Sequence, residues 1–282
     1  IATTRLAAAA RPLRISYGGP VLKLKATQLR PERELIQAGA ELVGSDSVAA
    51  VVEVIGIAIE ALQACGVKSI TLDLTLPDLV DILSAGPLPM DSAKLEPVKA
   101  ALDAKDVGSL VLAGGAAFLP LVTAAGPVGS AISALRAMGL GDDLEARFTA
   151  LEAIAAAVGD GVRVTLDPTE RHGFEYQSWV GFSLFAEGLA GEAGRGGSYT
   201  ILHADGREEA AVGFSLFLDP LVDAGLMQMS TRRVFIPLGS PPEIAADLRR
   251  QGWVTVAAIC PGCDAVGLGC THRLDSGEPR AL

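Results

Sequence analysis

A group of four residues near the C-terminus is spaced in a way that could hold a metal ion: Cys260, Cys263, Cys270 and His272. Two cysteines separated by two residues, with a later cysteine and histidine, supply the four ligands of a tetrahedral zinc site. The interval between Cys263 and Cys270 is shorter than in common zinc modules, and Cys270 and His272 lie very close together in sequence. The alternative is a set of small reduced cysteines beside a buried strand, and this alternative predicts no metal.

Gln37 and Glu41 are candidate ligand-binding residues on a predicted strand. They lie two strand periods apart, so their side chains point to the same face of the sheet. A side-chain amide and a carboxylate can meet an ammonium group or a ring N–H. Such pairs also occur on solvated faces. The spacing alone therefore leaves open whether the pair lines a pocket or an exposed surface.

Two downstream segments supply further candidates, Arg171–Gln177 (RHGFEYQ) and Gly194–Tyr199 (GRGGSY). Tyr176 and Tyr199 offer hydroxyls and flat apolar faces, and the ordinary pKa of a histidine such as His172 suits a sensor. By default the tyrosines pack in a core and His172 is a surface or hydrogen-bonded histidine. The glycines of the second segment lack the spacing of a phosphate-binding loop, and we predict a turn there.

The elements that must position these residues follow an α+β pattern. We predict strands at 35–43, 69–74, 162–166, 179–186, 198–203 and 210–217, and a strand, turn and strand at 13–24 around Gly18-Gly19-Pro20. Helices are predicted at 48–65 and 218–224, and a helical block at 79–158 has clearer helices at 94–102, 131–138 and 144–158. Residues 28–34 are predicted as an exposed loop. Strands joined through hairpins, with a helical insertion, indicate an antiparallel sheet.

The predicted domains are a core at 1–228, whose helical insertion covers about 79–158, and a small α/β unit at 229–282. The second unit is predicted as strand, helix and strand at 234–237, 242–251 and 254–259. Residues 107–135 carry no charge and are long enough to cross a bilayer of about 30 Å. Their glycines and prolines favour two or three short buried helices over one membrane span.

Composition excludes several classes of function. The 282 residues have a net charge of −10 and no cluster of Lys and Arg, which argues against a nucleic-acid surface. Four cysteines do not form a disulfide framework, so we expect a reducing cytoplasm. The chain begins with Ile1 in the middle of a pattern, and we expect a further segment to precede it.

Five motifs in order resemble those of histidyl-tRNA synthetases, over nearly the whole chain to about Asp223: Pro20–Lys25, Arg33–Glu41, Arg171–Gln177, Gly194–Tyr199 and Ala211–Pro220. The resemblance implies a class II aminoacyl-tRNA synthetase-like antiparallel sheet flanked by helices. It also implies a histidine-like pocket formed by seven residues: Lys23, Gln37, Glu41, His172, Tyr176, Gln177 and Tyr199.

The departures from that family fall on its catalytic arginines. Lys23 stands at the arginine of the second motif, with Lys25 at its acidic partner. His172 stands at the histidine-specific arginine, unless the register shifts by one onto Arg171, and Asp219 replaces the arginine of the third motif. Neither Lys nor His copies the planar fork of Arg. Since losing one such donor costs about 3–4 kcal/mol, we expect no catalytic residues and no adenylation.

A kept fold with deleted arginines resembles the regulatory subunits of short-form ATP phosphoribosyltransferase, and Leu29–Glu34 and Gly269–Leu274 are also typical of them. The resemblance implies a partner that joins ATP to phosphoribosyl pyrophosphate in histidine biosynthesis, activation of that partner, and transmitted inhibition by L-histidine. It further implies a homodimer within a hetero-oligomer and no cofactor. Two alternatives remain: a fragment of a histidyl-tRNA synthetase, and a stand-alone histidine-binding module.

Overall fold

The computed structural model describes residues 1–22, 33–171, 176–226 and 232–282. The chain divides into two compact units, Ile1–Met227 and Gln228–Leu282. Each unit has its own sheet and its own apolar core.

The first unit contains an eight-stranded sheet, with the strand order β1-β2-β8-β7-β6-β3-β5-β4 in the described residues. Its strands are β1 (Leu13–Leu22), β2 (Glu34–Val43), β3 (Ile70–Thr75), β4 (Gly126–Pro127), β5 (Val162–Asp167), β6 (Gln177–Ala186), β7 (Glu192–Leu202) and β8 (Glu208–Phe217). Neighbouring strands are antiparallel except β3 and β5, which are parallel. The sheet is therefore mixed, and the α+β class predicted from the sequence is confirmed.

Helices flank this sheet, and most of them belong to the stretch between β3 and β5. The helices are α1 (Val48–Ala64), α2 (Leu79–Ala85), α3 (Ser92–Asp103), α4 (Val107–Leu112), α5 (Leu119–Thr123), α6 (Val128–Ala137), α7 (Asp142–Val158) and α8 (Asp219–Asp223). Helix α1 begins where the Ser47 hydroxyl accepts a hydrogen bond from the backbone N–H of Ala50. Its apolar stripe, which includes Val51, Ile55 and Leu62, is fully buried.

The main core lies between the sheet and these helices. Leu72 and Leu74 of β3 and Phe148 of α7 belong to the same buried cluster as the stripe of α1. Fully burying such a side chain contributes about 1.5–3 kcal/mol. The same cluster contains Leu42 of β2, Phe182 of β6 and Val212 of β8, so the core also fixes strands that carry the candidate site.

Two local predictions are wrong. Strand β1 runs without a turn through Gly18-Gly19-Pro20, where Pro20 pairs with Ile36. Strand β1 lies at the edge of the sheet. A proline whose missing N–H would face the open side of that edge therefore removes no hydrogen bond between strands. Residues Gly194–Gly197 lie inside β7 and do not form a turn. The predicted loop at 28–34 falls mostly outside the described residues.

The uncharged stretch 107–135 forms short helices, α4, α5 and the start of α6, with a single 3₁₀ turn at Ala116–Phe118. This confirms the sequence prediction for that stretch. Across the parts of the chain that the structure describes, no helix combines the length and the apolar character that a bilayer crossing requires.

The second unit contains β9 (Arg233–Ile236), α9 (Pro242–Arg250), β10 (Val254–Ala257), β11 (His272–Asp275) and β12 (Glu278–Ala281). Strands β9 and β10 are parallel, as the predicted strand-helix-strand unit requires. Strands β11 and β12 form a hairpin that the sequence analysis missed. Its two turn residues, Ser276 and Gly277, have φ of +50° and +89°, as a tight hairpin turn needs.

Candidate functional site

A cavity of about 150 Å³ lies over the middle of the first unit's sheet. Its lining residues come from β2, β6, β7 and β8 and the residue before β6: Gln37, Glu41, Tyr176, Gln177, Arg195, Gly196, Gly197, Tyr199, Gly213, Phe214, Ser215 and Phe217. Because alternate residues of a strand share one face, four neighbouring strands can direct these side chains to a single patch.

The cavity brings together five of the seven residues of the predicted pocket: Gln37, Glu41, Tyr176, Gln177 and Tyr199. Lys23 and His172 lie outside the described residues. Arg171, the other register for the missing arginine, does not line the cavity, and its backbone N–H donates to Asp103 at 2.7 Å. The structure therefore places five of the predicted residues around one cavity, and their role in binding a ligand stays a prediction.

Glu41 and Tyr199 form the polar centre of the cavity. The Tyr199 hydroxyl donates a 2.8 Å hydrogen bond to Oε2 of Glu41. Burial raises the pKa of Glu41, and the hydrogen bond from Tyr199 only partly opposes this. Tyr176 meets Tyr199 edge to face, with ring centroids 6.1 Å apart. A half-buried carboxylate beside two aromatic rings is an environment that suits a cationic or N–H-rich ligand.

Gln177 supplies an acceptor that has no donor. Its side chain is only 9% exposed, and its Oε1 has no hydrogen-bond partner in the part of the chain that the structure describes. A buried polar atom left unpaired costs about 1–3 kcal/mol. The oxygen is enclosed against Gly197, so the described contacts leave this buried acceptor without a donor.

Two glycines make room for these side chains. A Cβ at Gly213 would overlap the carboxylate of Glu41, and a Cβ at Gly197 would overlap the side-chain amide of Gln177. Both glycines lie within strands, where a residue without a side chain permits such close approach. The cavity therefore depends on residue size at these two positions as well as on polar groups.

Arg195 and Ser215 line the cavity although they were not among the predicted pocket residues. Arg195 pairs with Glu192, whose Oε2 accepts a hydrogen bond from Nε of Arg195 at 3.0 Å. In contrast, Glu41 has no ion-pair partner among the residues that the structure describes. Because Glu192 offsets the charge of Arg195, the carboxylate of Glu41 is the group of the described lining that can pair with a positively charged ligand. Arg195 lies inside the motif Gly194–Tyr199, and membership of that motif was the sequence signal that could have placed it in the pocket.

Asp219, which the resemblance aligns with an arginine of the third motif, has a defined structural role. Its Oδ2 accepts the backbone N–H of Ile36 at 2.9 Å, while the carbonyl of Ile36 accepts the N–H of Leu218 at 2.9 Å. Asp219 thereby extends the pairing of β8 with β2 by one step at the start of α8.

The four candidate zinc ligands do not form one centre. Sγ of Cys260 and Sγ of Cys263 are 2.7 Å apart, but Cys270 is buried in an apolar cluster with Phe235. The ring of His272 packs edge to face on Trp253 at 4.8 Å. Among residues 1–22, 33–171, 176–226 and 232–282, no group of three or more His, Cys, Asp or Glu side chains could hold a metal ion.

Known proteins match this chain in sequence. A family model described as histidyl-tRNA synthetase matches residues 1–221. The ATP phosphoribosyltransferase regulatory subunit of Rhodospirillum centenum is 40% identical, over 99% of this chain and 74% of that protein. The subunit of the same name from Paramagnetospirillum magneticum is also 40% identical, over 97% of this chain and 74% of that protein.

Solved structures share the fold at lower sequence identity. A Bacillus halodurans protein described as an ATP phosphoribosyltransferase regulatory subunit/histidyl-tRNA synthetase has a TM-score of 0.76 at 21% identity, covering 97% of this chain and 76% of that one. A chain from the ATP phosphoribosyl transferase (HisG:HisZ) complex of Thermotoga maritima has a TM-score of 0.59 at 16% identity, covering 76% and 77%. Agreement in sequence along almost the whole chain, on a histidyl-tRNA synthetase-like fold, shows that this protein belongs to the family of ATP phosphoribosyltransferase regulatory subunits.

Proposed function

We propose that this chain binds and activates a short-form catalytic subunit of ATP phosphoribosyltransferase and transmits feedback inhibition by L-histidine, without performing chemistry itself. The name shared by its relatives supports the partnership. The observation that carries the ligand is the cavity itself, where the half-buried carboxylate of Glu41 lies beside the rings of Tyr176 and Tyr199.

Histidine suits this cavity chemically. It presents an ammonium group and ring N–H donors, while Glu41 offers a carboxylate acceptor. The size is also suitable, because a cavity of about 150 Å³ can hold benzene and an imidazole ring is smaller. Tyr176 and Tyr199 give the ring apolar faces and edges to pack against.

The proposed lack of catalysis rests on charge. Adenylation develops negative charge that must be met by preorganised donors. The three positions where the synthetase family has arginines carry Lys23, His172 and Asp219 in this chain. Of these, Asp219 is itself an anion, and its carboxylate already accepts the N–H of Ile36. A nucleotide phosphate near Asp219 would therefore be repelled.

For the assembly, we propose a homodimer joined to catalytic subunits in a symmetric cytoplasmic hetero-oligomer. Histidine can inhibit such an assembly only by binding one of its states more tightly than another. Couplings of this kind are typically about 1–3 kcal/mol, which is about 5- to 150-fold in affinity. Addition of histidine should therefore weaken activation by a factor within that range.

The first test is titration calorimetry of the chain with L-histidine, repeated with Tyr176→Ala and Gln37→Ala. Binding that is lost in both variants, and kept in Gln63→Ala on the exposed surface of α1, supports the pocket. The absence of binding to the unmodified chain would contradict histidine binding by this chain alone. Histidine should then be titrated into the complex with the catalytic subunit.

The second test measures phosphoribosyl transfer by a short-form catalytic subunit with and without this chain, and then with histidine. Activation by the chain, and its reversal by histidine, are the expected results. Histidine-dependent exchange of pyrophosphate into ATP by the chain alone would instead indicate a synthetase. Binding of histidine without any effect on the catalytic subunit would indicate a stand-alone histidine-binding module.

A further inference from the structure

Cys260 and Cys263 lie at the two ends of a tight turn in the second unit. The sequence between them is Pro261-Gly262, and both of these residues are in the turn. Proline restricts its φ to about −65°, and Gly262 has φ of +87°, which is the pattern of a type II β-turn. Such a turn brings its first and fourth residues together, and Sγ of Cys260 lies 2.7 Å from Sγ of Cys263.

The two thiols differ in their surroundings. Cys260 is exposed, whereas Cys263 is half-buried and packs against the apolar cluster of Phe235, Ala265 and Cys270. A hydrogen bond from Cys260, together with backbone hydrogen bonds at Ile259 and Cys260, lowers the pKa of Cys263. The same hydrogen bond raises the pKa of Cys260. Cys263 is therefore the better thiolate, and Cys260 is the thiol held next to it.

We propose that Cys260 and Cys263 form a reversible dithiol–disulfide couple that exchanges with small disulfides such as oxidised glutathione. This inference is independent of the histidine pocket. A protein disulfide has an S–S length of about 2.05 Å, so the two sulfur atoms need to approach by less than about 1 Å. Intracellular disulfides are commonly transient and redox-sensing, which suits a pair exposed on a turn.

The exchange balances in two steps. The thiolate of Cys263 attacks one sulfur of the small disulfide, forms a mixed disulfide and releases one small thiolate, which takes up a proton. Cys260 then loses its proton and attacks the sulfur of Cys263, forming the intrachain disulfide and releasing the second small thiol. In the net reaction two protein thiols are oxidised to one disulfide, and one small disulfide is reduced to two thiols.

The other two cysteines serve as internal controls. Cys65 follows the last turn of α1, and Cys270 is buried in the second unit. Neither forms part of the turn at 260–263. Cys65→Ser, and the apolar replacement Cys270→Ala at the buried position beside Cys263, should therefore form the same disulfide as the unmodified chain.

The test uses the full chain, equilibrated with mixtures of oxidised and reduced glutathione. The chain is then denatured and alkylated, and its mass is measured by mass spectrometry. The reduced chain should take up four alkyl groups, one for each cysteine. The oxidised chain should take up two and lose two hydrogen atoms within the peptide that contains residues 260–263. Cys260→Ser should stop at a glutathione adduct on Cys263.

The turn itself provides a second variant. Gly262→Ala places a Cβ at a φ of +87°, where L-residues are strained. Closing the disulfide should then need about a tenfold higher proportion of oxidised glutathione. Four alkylated thiols at every glutathione ratio would overturn the inference. A disulfide that includes Cys65 or Cys270, or an adduct that Cys260 never resolves, would do the same.

Discussion

The Tyr199 hydroxyl on β7 reaches across β8 to Glu41 on β2, and the two side chains join strands that are not neighbours in the sheet. Burial raises the pKa of Tyr199, and the nearby charge of Glu41 raises it further. Tyr199 therefore stays protonated and acts as a donor. This hydrogen bond holds the Glu41 carboxylate at a fixed place in the cavity. Replacing Tyr199 with phenylalanine removes the bond by deleting one oxygen atom.

Tyr199→Phe should weaken the binding of L-histidine by about 5- to 30-fold, equivalent to about 1–2 kcal/mol. The reason is that Glu41 loses the donor that orients it and its pKa rises further, since the hydrogen bond from Tyr199 lowers it. Titration calorimetry measures the change. Gln63→Ala, on the exposed surface of α1, is the control, because Gln63 does not line the cavity. Equal losses in the two variants would count against a specific role for Tyr199.

Glu41→Gln should increase the free energy of unfolding near neutral pH and flatten its pH dependence. Burial raises the pKa of Glu41 in the folded chain above the ordinary value of about 4.3. The folded state then binds the proton more tightly than the unfolded state does, so stability falls as pH rises through that window. Urea unfolding between pH 4 and about pH 8 measures the slope. Glu34→Gln, on the exposed start of the same strand, is the control and should keep the slope of the unmodified chain.

Gly213→Ala should destabilise the first unit by about 1–3 kcal/mol and abolish histidine binding. Its Cβ would overlap Oε2 of Glu41 and lie 2.9 Å from the carbonyl of Ala40. Gly56→Ala in α1 is the matched control, because nothing lies within 4 Å of the added methyl group. In the interior of a helix that change should stabilise by about 0.5–1 kcal/mol. If Gly213→Ala is as stable as Gly56→Ala, β8 can shift to accommodate the added methyl group and the prediction is wrong.

Glu209→Gln should loosen residues 1–12 and reduce sensitivity to acid. Glu209 is buried and accepts hydrogen bonds from Nε of Arg11 at 2.6 Å and, on its other oxygen, contacts Nε2 of His203 at 2.9 Å. The hydrogen bond from Arg11 is the largest cause that lowers the pKa of Glu209 to about 2. A lowered carboxyl pKa contributes stability that is present above the ordinary value of about 4.3 and is lost as pH falls through the folded pKa.

Hydrogen exchange of residues 1–12 at pH 7 and at lower pH measures this effect. Arg11 also donates to the carbonyls of Leu6 and Ala9, so the pair with Glu209 anchors the whole N-terminal segment to β8. Glu208→Gln, at the exposed neighbouring position, should leave the exchange unchanged. If exchange in Glu209→Gln equals that in Glu208→Gln, another contact holds the segment.

Long periodic elements were predictable from the sequence, because hydrophobic spacing and caps act locally. Helix α1 ends one residue before its prediction, and β2 begins one residue before its own. The parallel pairing of β3 with β5 could not be predicted in this way, since no local pattern records which strands become neighbours. Edge position likewise decided that Pro20 continues a strand, and edge position is a property of the whole sheet.

The features of the candidate site also fall into those that the sequence predicts and those that only the structure reveals. Gln37 and Glu41 were predicted to share a face because strand periodicity requires it, and both line the cavity. The enclosure of Gln177 Oε1 depends on contacts between β6 and β7 that spacing does not reveal, and the ion pair of Arg195 with Glu192 forms within β7. The requirement for glycine at position 213 is also visible only once Glu41 is placed opposite it.

The hydrogen bond from the Ile36 N–H to Asp219 limits which residues position 219 can accept. An arginine at position 219 would remove the acceptor that ends the pairing of β2 with β8, and would offer another donor in its place. Asp219→Arg would therefore weaken the sheet even though arginine is the residue that binds phosphate best. The carboxylate of Asp219 stabilises the fold, so an arginine at this position requires compensating changes in β2.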